Sequence, residues 1–338
     1  IEKGCVVCTF AWNHYQHVEL YYGIPGVGAV CHTINIRLSA QQIEFIINHS
    51  EDKVIFVDAT LVPFLEKIAP KLETVEKYVI INATKNFSTS LGNIVHYEDL
   101  IGEQLDTIDW PEINENDASG MCYTSGTTGM PKGVLYSHRS TYLHAMTILS
   151  PNAGNYNFSD KILLIVPQFH VMAWGFPYMC LLTGSDMVMP SLHLQPKAII
   201  NILESEQINK ANGVPSIWRG VYEEMKKNPP KTKLVLEEYL VGGSALSASL
   251  IENFEKDFGI KGVQAWGMTE TSPLGTASRL QKKHEKLTRK EQLKIRAKQG
   301  FEFPGIEMRI IDENGNIAPR DGETMGELQV KGAWVIKS

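Results

Sequence analysis

Apolar residues fall along the first three quarters of the chain in short blocks that alternate between two rhythms. Compact runs at 5–11, 53–57, 78–81, 118–124, 162–166, 186–189 and 239–241 are mostly apolar or small and read as strands, several of them apolar on both faces. Between them, apolar residues recur at helical spacing over 14–23, 61–68, 174–182, 197–206, 216–227 and 248–258. Ser39-Ala40-Gln41-Gln42 has the form of a capping box and opens a further helix that runs through Asn48. Alternation of this kind predicts α/β layers with mainly parallel sheets. Beyond Ala277 the rhythm changes: a charged helical stretch precedes apolar runs at 307–311 and 327–330, with Glu313-Asn314-Gly315-Asn316 as the turn between them. That pattern predicts antiparallel β structure.

Composition narrows the classes. At 338 residues and 43% hydrophobic, the chain can bury a large core and divide into two or three units. A net charge of −6 with both signs interspersed gives no sign of nucleic-acid binding. The basic run Lys282, Lys283, Lys286, Arg289, Lys290, Lys294, Arg296 and Lys298 is broken by Glu285 and Glu291, and reads as a solvated helix face. No stretch of 18 apolar residues predicts a transmembrane helix. Five cysteines suit a reducing compartment, hence a cytoplasmic protein, better than a disulfide framework. Cys5-Val6-Val7-Cys8 has the CxxC spacing, but a strand turns positions three apart to opposite faces, so the pair reads as structural.

The candidate chemistry is concentrated in Tyr123-Thr124-Ser125-Gly126-Thr127-Thr128-Gly129-Met130-Pro131-Lys132-Gly133-Val134. Glycines let backbone N–H groups approach an anion, hydroxyls donate hydrogen bonds, and Lys132 adds a point charge. A Walker-type loop would need Ser or Thr after the lysine, and Gly133 stands there instead. A strand should enter this loop and a second strand, through Val134-Leu135-Tyr136, should leave it, with a helix opening at Ser137.

The same stretch resembles the phosphate-loop signature of the adenylate-forming superfamily, which includes acyl-CoA synthetases, peptide-synthetase adenylation domains and firefly luciferase. Further segments similar to that superfamily follow in order: Phe169-His170-Val171-Met172-Ala173-Trp174, Gly213-Val214-Pro215-Ser216, Val241-Gly242-Gly243-Ser244 and Gln264-Ala265-Trp266-Gly267-Met268-Thr269-Glu270-Thr271. The segments around His170 and at Ala297-Lys298-Gln299-Gly300 are most similar to bacterial medium- and long-chain fatty acyl-CoA synthetases.

The resemblance implies an architecture of two packed α/β subdomains, at 1–155 and 156–276, followed at 277–338 by part of a distorted β-barrel. It also implies a two-step reaction: a fatty acid and ATP give an acyl-adenylate and pyrophosphate, and coenzyme A then displaces AMP. Both steps move negative charge, which Mg²⁺ and fixed donors would stabilise.

Residue by residue, the resemblance places Thr124, Ser125, Gly126, Thr127, Thr128, Gly129 and Lys132 around the phosphates, with Lys132 on the β- and γ-phosphates. Gly243, Ser244, Gln264, Ala265, Trp266 and Gly267 would line the adenine pocket, Thr269 would reach the α-phosphate, and Thr124 and Glu270 would hold the metal. His170 would sit beside the carboxylate, and Val171 and Trp174 would line an acyl tunnel that Trp174 gates. His170, Thr269, Glu270 and Lys132 are thus the candidate catalytic residues. Two positions depart from the family's usual residues: Trp266 stands for Tyr, and Ala265 for Gly.

An aryl or amino acid ligase and a non-catalytic nucleotide-binding module are the alternatives, although no acidic anchor for an amino group stands beside 169–174. Members of this branch often dimerise, so a homodimer is among the expectations, as is a peripheral membrane contact. The family's ribose-binding Asp, hinge residue and catalytic Lys lie beyond the segment matching Gly326-Glu327-Leu328. The expectation is therefore an incomplete enzyme without its C-terminal domain, making acyl-CoA at a negligible rate by itself.

Overall fold

A computed structural model of the chain describes residues 1–84, 86–102, 104–124 and 130–336. It divides into two compact units that are interleaved in sequence. The first comprises residues 1–141, 164–177 and 188–194, and the second 142–163, 178–187 and 195–338.

The first unit is built on a seven-stranded sheet. Its strands are β1 (Val6–Phe10), β2 (Val30–Thr33), β3 (Val54–Asp58), β4 (Lys77–Ile81), β5 (Ile94–His96), β6 (Ala118–Thr124) and β7 (Lys132–Ser137). They lie in the order β5-β4-β3-β1-β2-β6-β7, parallel throughout except for β7, which pairs antiparallel with β6. The helices are α1 (Tyr15–Gly26), α2 (Ala40–His49), α3 (Val62–Ile68), α4 (Tyr97–Gly102) and α5 (His138–Ile148), the last of which runs on into the second unit. The capping box at α2 forms as expected: Ser39 Oγ accepts from Gln42 N at 3.3 Å, and Gln42 Oε1 accepts from Ser39 N at 3.1 Å. Ile43, Ile46 and Ile47 then share the face that packs with Ile55, Val57 and Leu65 in a fully buried cluster. Cys8 belongs to that cluster, Cys5 lies just before β1, and all five cysteines are free thiols.

The second sheet contains β8 (Lys161–Leu164), β9 (Asp186–Val188), β10 (Lys210–Gly213), β11 (Glu238–Val241), β12 (Lys261–Gly267), β13 (Leu274–Ala277) and β14 (Phe301–Glu302). Their order is β14-β13-β12-β11-β10-β8-β9. Strands β10, β11 and β12 run parallel, whereas β13 and β14 continue antiparallel from β12. Helices α6 (Phe176–Thr183), α7 (Pro196–Ser205), α8 (Pro215–Lys227), α9 (Ala248–Phe258) and α10 (Arg289–Arg296) complete the helical set among the described residues. Helix α9 shows its boundaries plainly: Ser247 caps the Leu250 N–H at 3.2 Å, and Gly259 ends the helix in the left-handed conformation with φ 73°. After α10 comes the expected antiparallel pair, β15 (Ile306–Ile311) with β16 (Glu327–Gly332).

The basic run divides by chemistry. Arg296 reaches Glu255 on α9 at 2.6 Å and Arg289 joins the same carboxylate, so the arginines fasten α10 to its neighbour. The six lysines are exposed and make no ion pair among the described residues. Among the described residues no helix is long and apolar enough to cross a membrane.

Candidate functional site

In the first unit the phosphate-loop stretch sits in the β6–β7 hairpin, at the carboxyl end of a parallel strand, where open α/β sheets bind ligands. Thr124 and Lys132 are register partners across the antiparallel ladder, so the loop is closed at its base by the two residues that flank it. Lys132 therefore begins a strand, and its side chain is exposed without an ion pair among the described residues. Ser125, Gly126, Thr127, Thr128 and Gly129 lie outside the described residues. Below the loop, Tyr123 lies over Gly133, where a Cβ would come within 3.3 Å of the ring, and its hydroxyl meets His49 Nδ1 at 2.7 Å. Burial, with Asp52 adding to it, pushes the Tyr123 phenol up to about 12, so the group stays a hydroxyl at neutral pH.

His170 follows β8 and is held by a clasp that the sequence did not disclose. Asn13, buried just beyond the carboxyl end of β1, donates to the carbonyls of Leu164 (2.9 Å) and Val166 (2.7 Å) and accepts from Gln168 N at 2.7 Å. One carboxamide thus satisfies three backbone groups of the segment leading to His170. Gln168 in turn accepts from His14 N at 2.9 Å. His170 itself reaches solvent, yet the protein packed around it lowers its pKa, and repulsion from Arg37 adds to the effect. Arg37, another residue that no motif flagged, lies 5.7 Å from the Phe169 ring centroid in a cation–π contact.

The helix expected over 174–182 starts only at Phe176. Val171, Met172, Ala173 and Trp174 wind left-handed, with φ of 47°, 50°, 50° and 56°. A left-handed turn of non-glycine residues costs about 1–2 kcal/mol per residue, so its surroundings must hold it. The Thr33 hydroxyl ties this segment to its neighbours: it lies 3.2 Å from the Cys122 sulfur, 3.4 Å from the Phe169 carbonyl oxygen and 3.8 Å from the Met172 sulfur. Val171 is buried and Trp174 half-buried.

The second unit gathers its motif residues at the carboxyl ends of β10, β11 and β12. Gly243 and Ser244 are exposed just past β11, Gly243 at φ 80°. Gln264, 1% exposed, accepts from Leu246 N at 2.5 Å and donates to Ala265 O and Gln299 Oε1. Its side chain thereby ties the loop after β11 to β12. Ala265 is buried, whereas Trp266 is half-buried, with its indole over Gly275, where a Cβ would come within 2.7 Å of the ring. The ring is thus backed by glycine on β13 and keeps accessible surface, unlike a core tryptophan.

Glu270 sits in the short 3-10 turn Thr269–Thr271 that joins β12 to β13. Thr271 Oγ1 fixes the turn by accepting from Met268 N at 2.9 Å. Among the described residues the half-buried Glu270 carboxylate has neither an ion pair nor a hydrogen bond; only its backbone carbonyl is engaged, by Ile336 N at 3.0 Å. A half-buried carboxylate without a partner among the described residues is the oxygen donor that a hard cation takes, so Glu270 fits Mg²⁺.

Two buried histidines make the fold acid-sensitive. Burial lowers His144 to about 3, and it lowers His17 to about 3 despite a hydrogen bond to the Trp12 carbonyl. Between the ordinary histidine value of 6.5 and about 3, the unfolded chain binds protons that the folded chain refuses. Stability is therefore flat above this window and falls as pH drops through it, by about 1.4 kcal/mol per pH unit for each histidine. Urea midpoints measured from pH 7 to pH 5 should decline accordingly. His144→Gln should flatten the decline by one proton's share.

Glycine-, hydroxyl- and carboxylate-bearing loops thus lie at the carboxyl ends of strands in both sheets, where open α/β folds bind ligands. The chain belongs to the AMP-binding enzyme family, whose sequence profile matches residues 1–338. It is 44% identical over 330 residues to a medium-chain-fatty-acid–CoA ligase of Ectopseudomonas oleovorans, a match that covers 97% of this chain and 60% of that protein. It is 43% identical over 331 residues to a 3-methylmercaptopropionyl-CoA ligase of Ruegeria lacuscaerulensis, covering 98% of this chain and 61% of the relative. The chain thus spans about 60% of the length of these relatives. In structure it is similar to a long-chain-fatty-acid-CoA ligase from Archaeoglobus fulgidus, with a TM-score of 0.85 at 21% identity over 100% of this chain and 65% of that one.

Proposed function

We propose that this chain is the nucleotide- and acid-binding part of an AMP-forming fatty acid:CoA ligase that uses ATP, Mg²⁺ and coenzyme A. The carboxylate oxygen attacks the α-phosphorus of ATP, the bond to the bridging oxygen breaks, and pyrophosphate leaves. The coenzyme A thiol then attacks the acyl carbon of the adenylate, loses its proton, and AMP departs. Mg²⁺, when bound, neutralises phosphate charge. Glu270 and Thr124 would hold it.

Lys132 and the loop hydroxyls and amides of Ser125, Gly126, Thr127, Thr128 and Gly129 would bind the phosphates, and Thr269 the α-phosphate. Trp266 would offer its free face to adenine, beside Gly243, Ser244, Gln264, Ala265 and Gly267. His170, its pKa lowered, is neutral at pH 7 and would act beside the carboxylate as a hydrogen-bonding imidazole rather than a cation. Val171 and Trp174 would line the acyl path.

The observation that carries this reading is the Glu270 carboxylate, without a partner among the described residues, in a fixed turn four residues from the glycine-backed Trp266 ring. A second reading keeps the chemistry and changes the acid, which the sulfur-containing substrate named for the 43% identical relative favours. Apolar pockets separate neighbouring chain lengths by only about 1–3 kcal/mol per methylene, so the test must span a series. Pyrophosphate release by the protein as its gene encodes it should be Mg²⁺-dependent and greatest with an acid between C4 and C18. Release with 3-methylmercaptopropionate or an aryl acid but with none of the fatty acids would overturn the substrate assignment.

A further inference from the structure

The turn that bears Glu270 is gripped by a segment that none of the motifs includes. Just after β16, Trp334 returns to this turn and is 2% exposed. Its indole N–H donates to the Leu274 carbonyl at 2.8 Å, and its own carbonyl accepts from Ser272 Oγ at 2.7 Å. Two residues on, Ile336 N donates to the carbonyl of Glu270 itself at 3.0 Å. The six-membered ring of Trp334 lies over Gly305, where a Cβ would come within 3.0 Å, and its ring centroid is 6.4 Å from that of His144. His144 grips the same turn from α5, accepting from Leu274 N at 3.2 Å.

We propose that residues 334–336 form a strap that aims the Glu270 carboxylate, with Trp334 as a positioning residue for metal-dependent nucleotide binding. A one-turn 3-10 element is weak alone, because its hydrogen bonds are few and poorly aligned. Burial of an aromatic ring would need no particular donor. Here the indole N–H and two backbone groups fall on Glu270, Ser272 and Leu274, so the strap fixes where the carboxylate can point. The inference deepens the function proposed above and rests on Glu270 as the metal carboxylate.

The test is the Mg²⁺ dependence of binding of a non-hydrolysable ATP analogue to the full chain. Trp334→Phe keeps an aromatic ring but loses the pyrrole half of the indole with its N–H; Ser272→Ala deletes the second contact with little change in volume. Each should raise the Mg²⁺ midpoint, by about three- to tenfold for Trp334→Phe, as expected for one lost hydrogen bond. Affinity for the analogue without Mg²⁺ should not change. Glu270→Gln separates the two levels. A wild-type Mg²⁺ response in Glu270→Gln refutes the functional reading beneath the proposal. A flat response there, with wild-type midpoints in both strap variants, overturns the strap alone. Should Trp334→Phe fail to fold, Ser272→Ala decides. A lowered melting temperature with an unchanged midpoint assigns the segment to stability and overturns the proposal.

Discussion

Glu270→Gln should slow adenylate formation by about two to three orders of magnitude while leaving the fold unchanged. The carboxylate has no partner among the described residues, so an amide in its place breaks no protein contact. The backbone tether from Ile336 N to the Glu270 carbonyl does not depend on the side chain. Loss would therefore fall on charge, which a hard divalent cation needs and an amide lacks. Pyrophosphate release against Mg²⁺ concentration, with a thermal melt of the same preparation, checks both halves. Full activity with unchanged melting would remove Glu270 from the chemistry.

Gly267→Ala should instead destroy the site by displacing its frame, at a cost of about 3–5 kcal/mol. A Cβ at 267 would stand 1.6 Å from the Pro273 carbonyl oxygen and 2.6 Å from its carbon. Both atoms are backbone, so no side-chain rotation relieves the overlap. The β12–β13 connection would have to open, carrying Glu270 and Trp266 with it. Gly275→Ala makes the informative contrast: its Cβ would meet the Trp266 ring at 2.7 Å, and a ring can swing. That variant should melt closer to wild type yet bind nucleotide more weakly. Equal melting temperatures for Gly267→Ala and the unmodified chain would contradict the crowding seen here.

Elements with a strong local signal were legible in the sequence. The Ser39–Gln42 box, the helix 248–258 closed by Gly259 and the strand 118–124 all stand where the pattern puts them. Interior strands with polar letters were not. β2 contains His32 and Thr33, and β10 contains Lys210 and Asn212; all four are buried because the parallel neighbours, rather than their own hydropathy, pull them in. The helix expected from Trp174 begins two residues late because residues 171–174 coil with the opposite hand, which propensity scales do not describe.

Much the same holds for the site. Glu270, Trp266 and Lys132 could be picked out because motif residues follow one another in the chain. Asn13, Arg37, His144 and Trp334 act across 60 to 155 positions of sequence, and nothing near them announces the partner. Ser125–Gly129, central to the sequence reading, lie outside the described residues.

The interleaving of the two units has a practical consequence. The polypeptide passes from one to the other at 141/142, 163/164, 177/178, 187/188 and 194/195. No single cut in the gene can therefore free one half from the other: a stop after residue 194 keeps the whole first unit but carries 142–163 and 178–187 of the second with it. Separation of the halves for binding studies would demand circular permutation or stitched linkers rather than a stop codon.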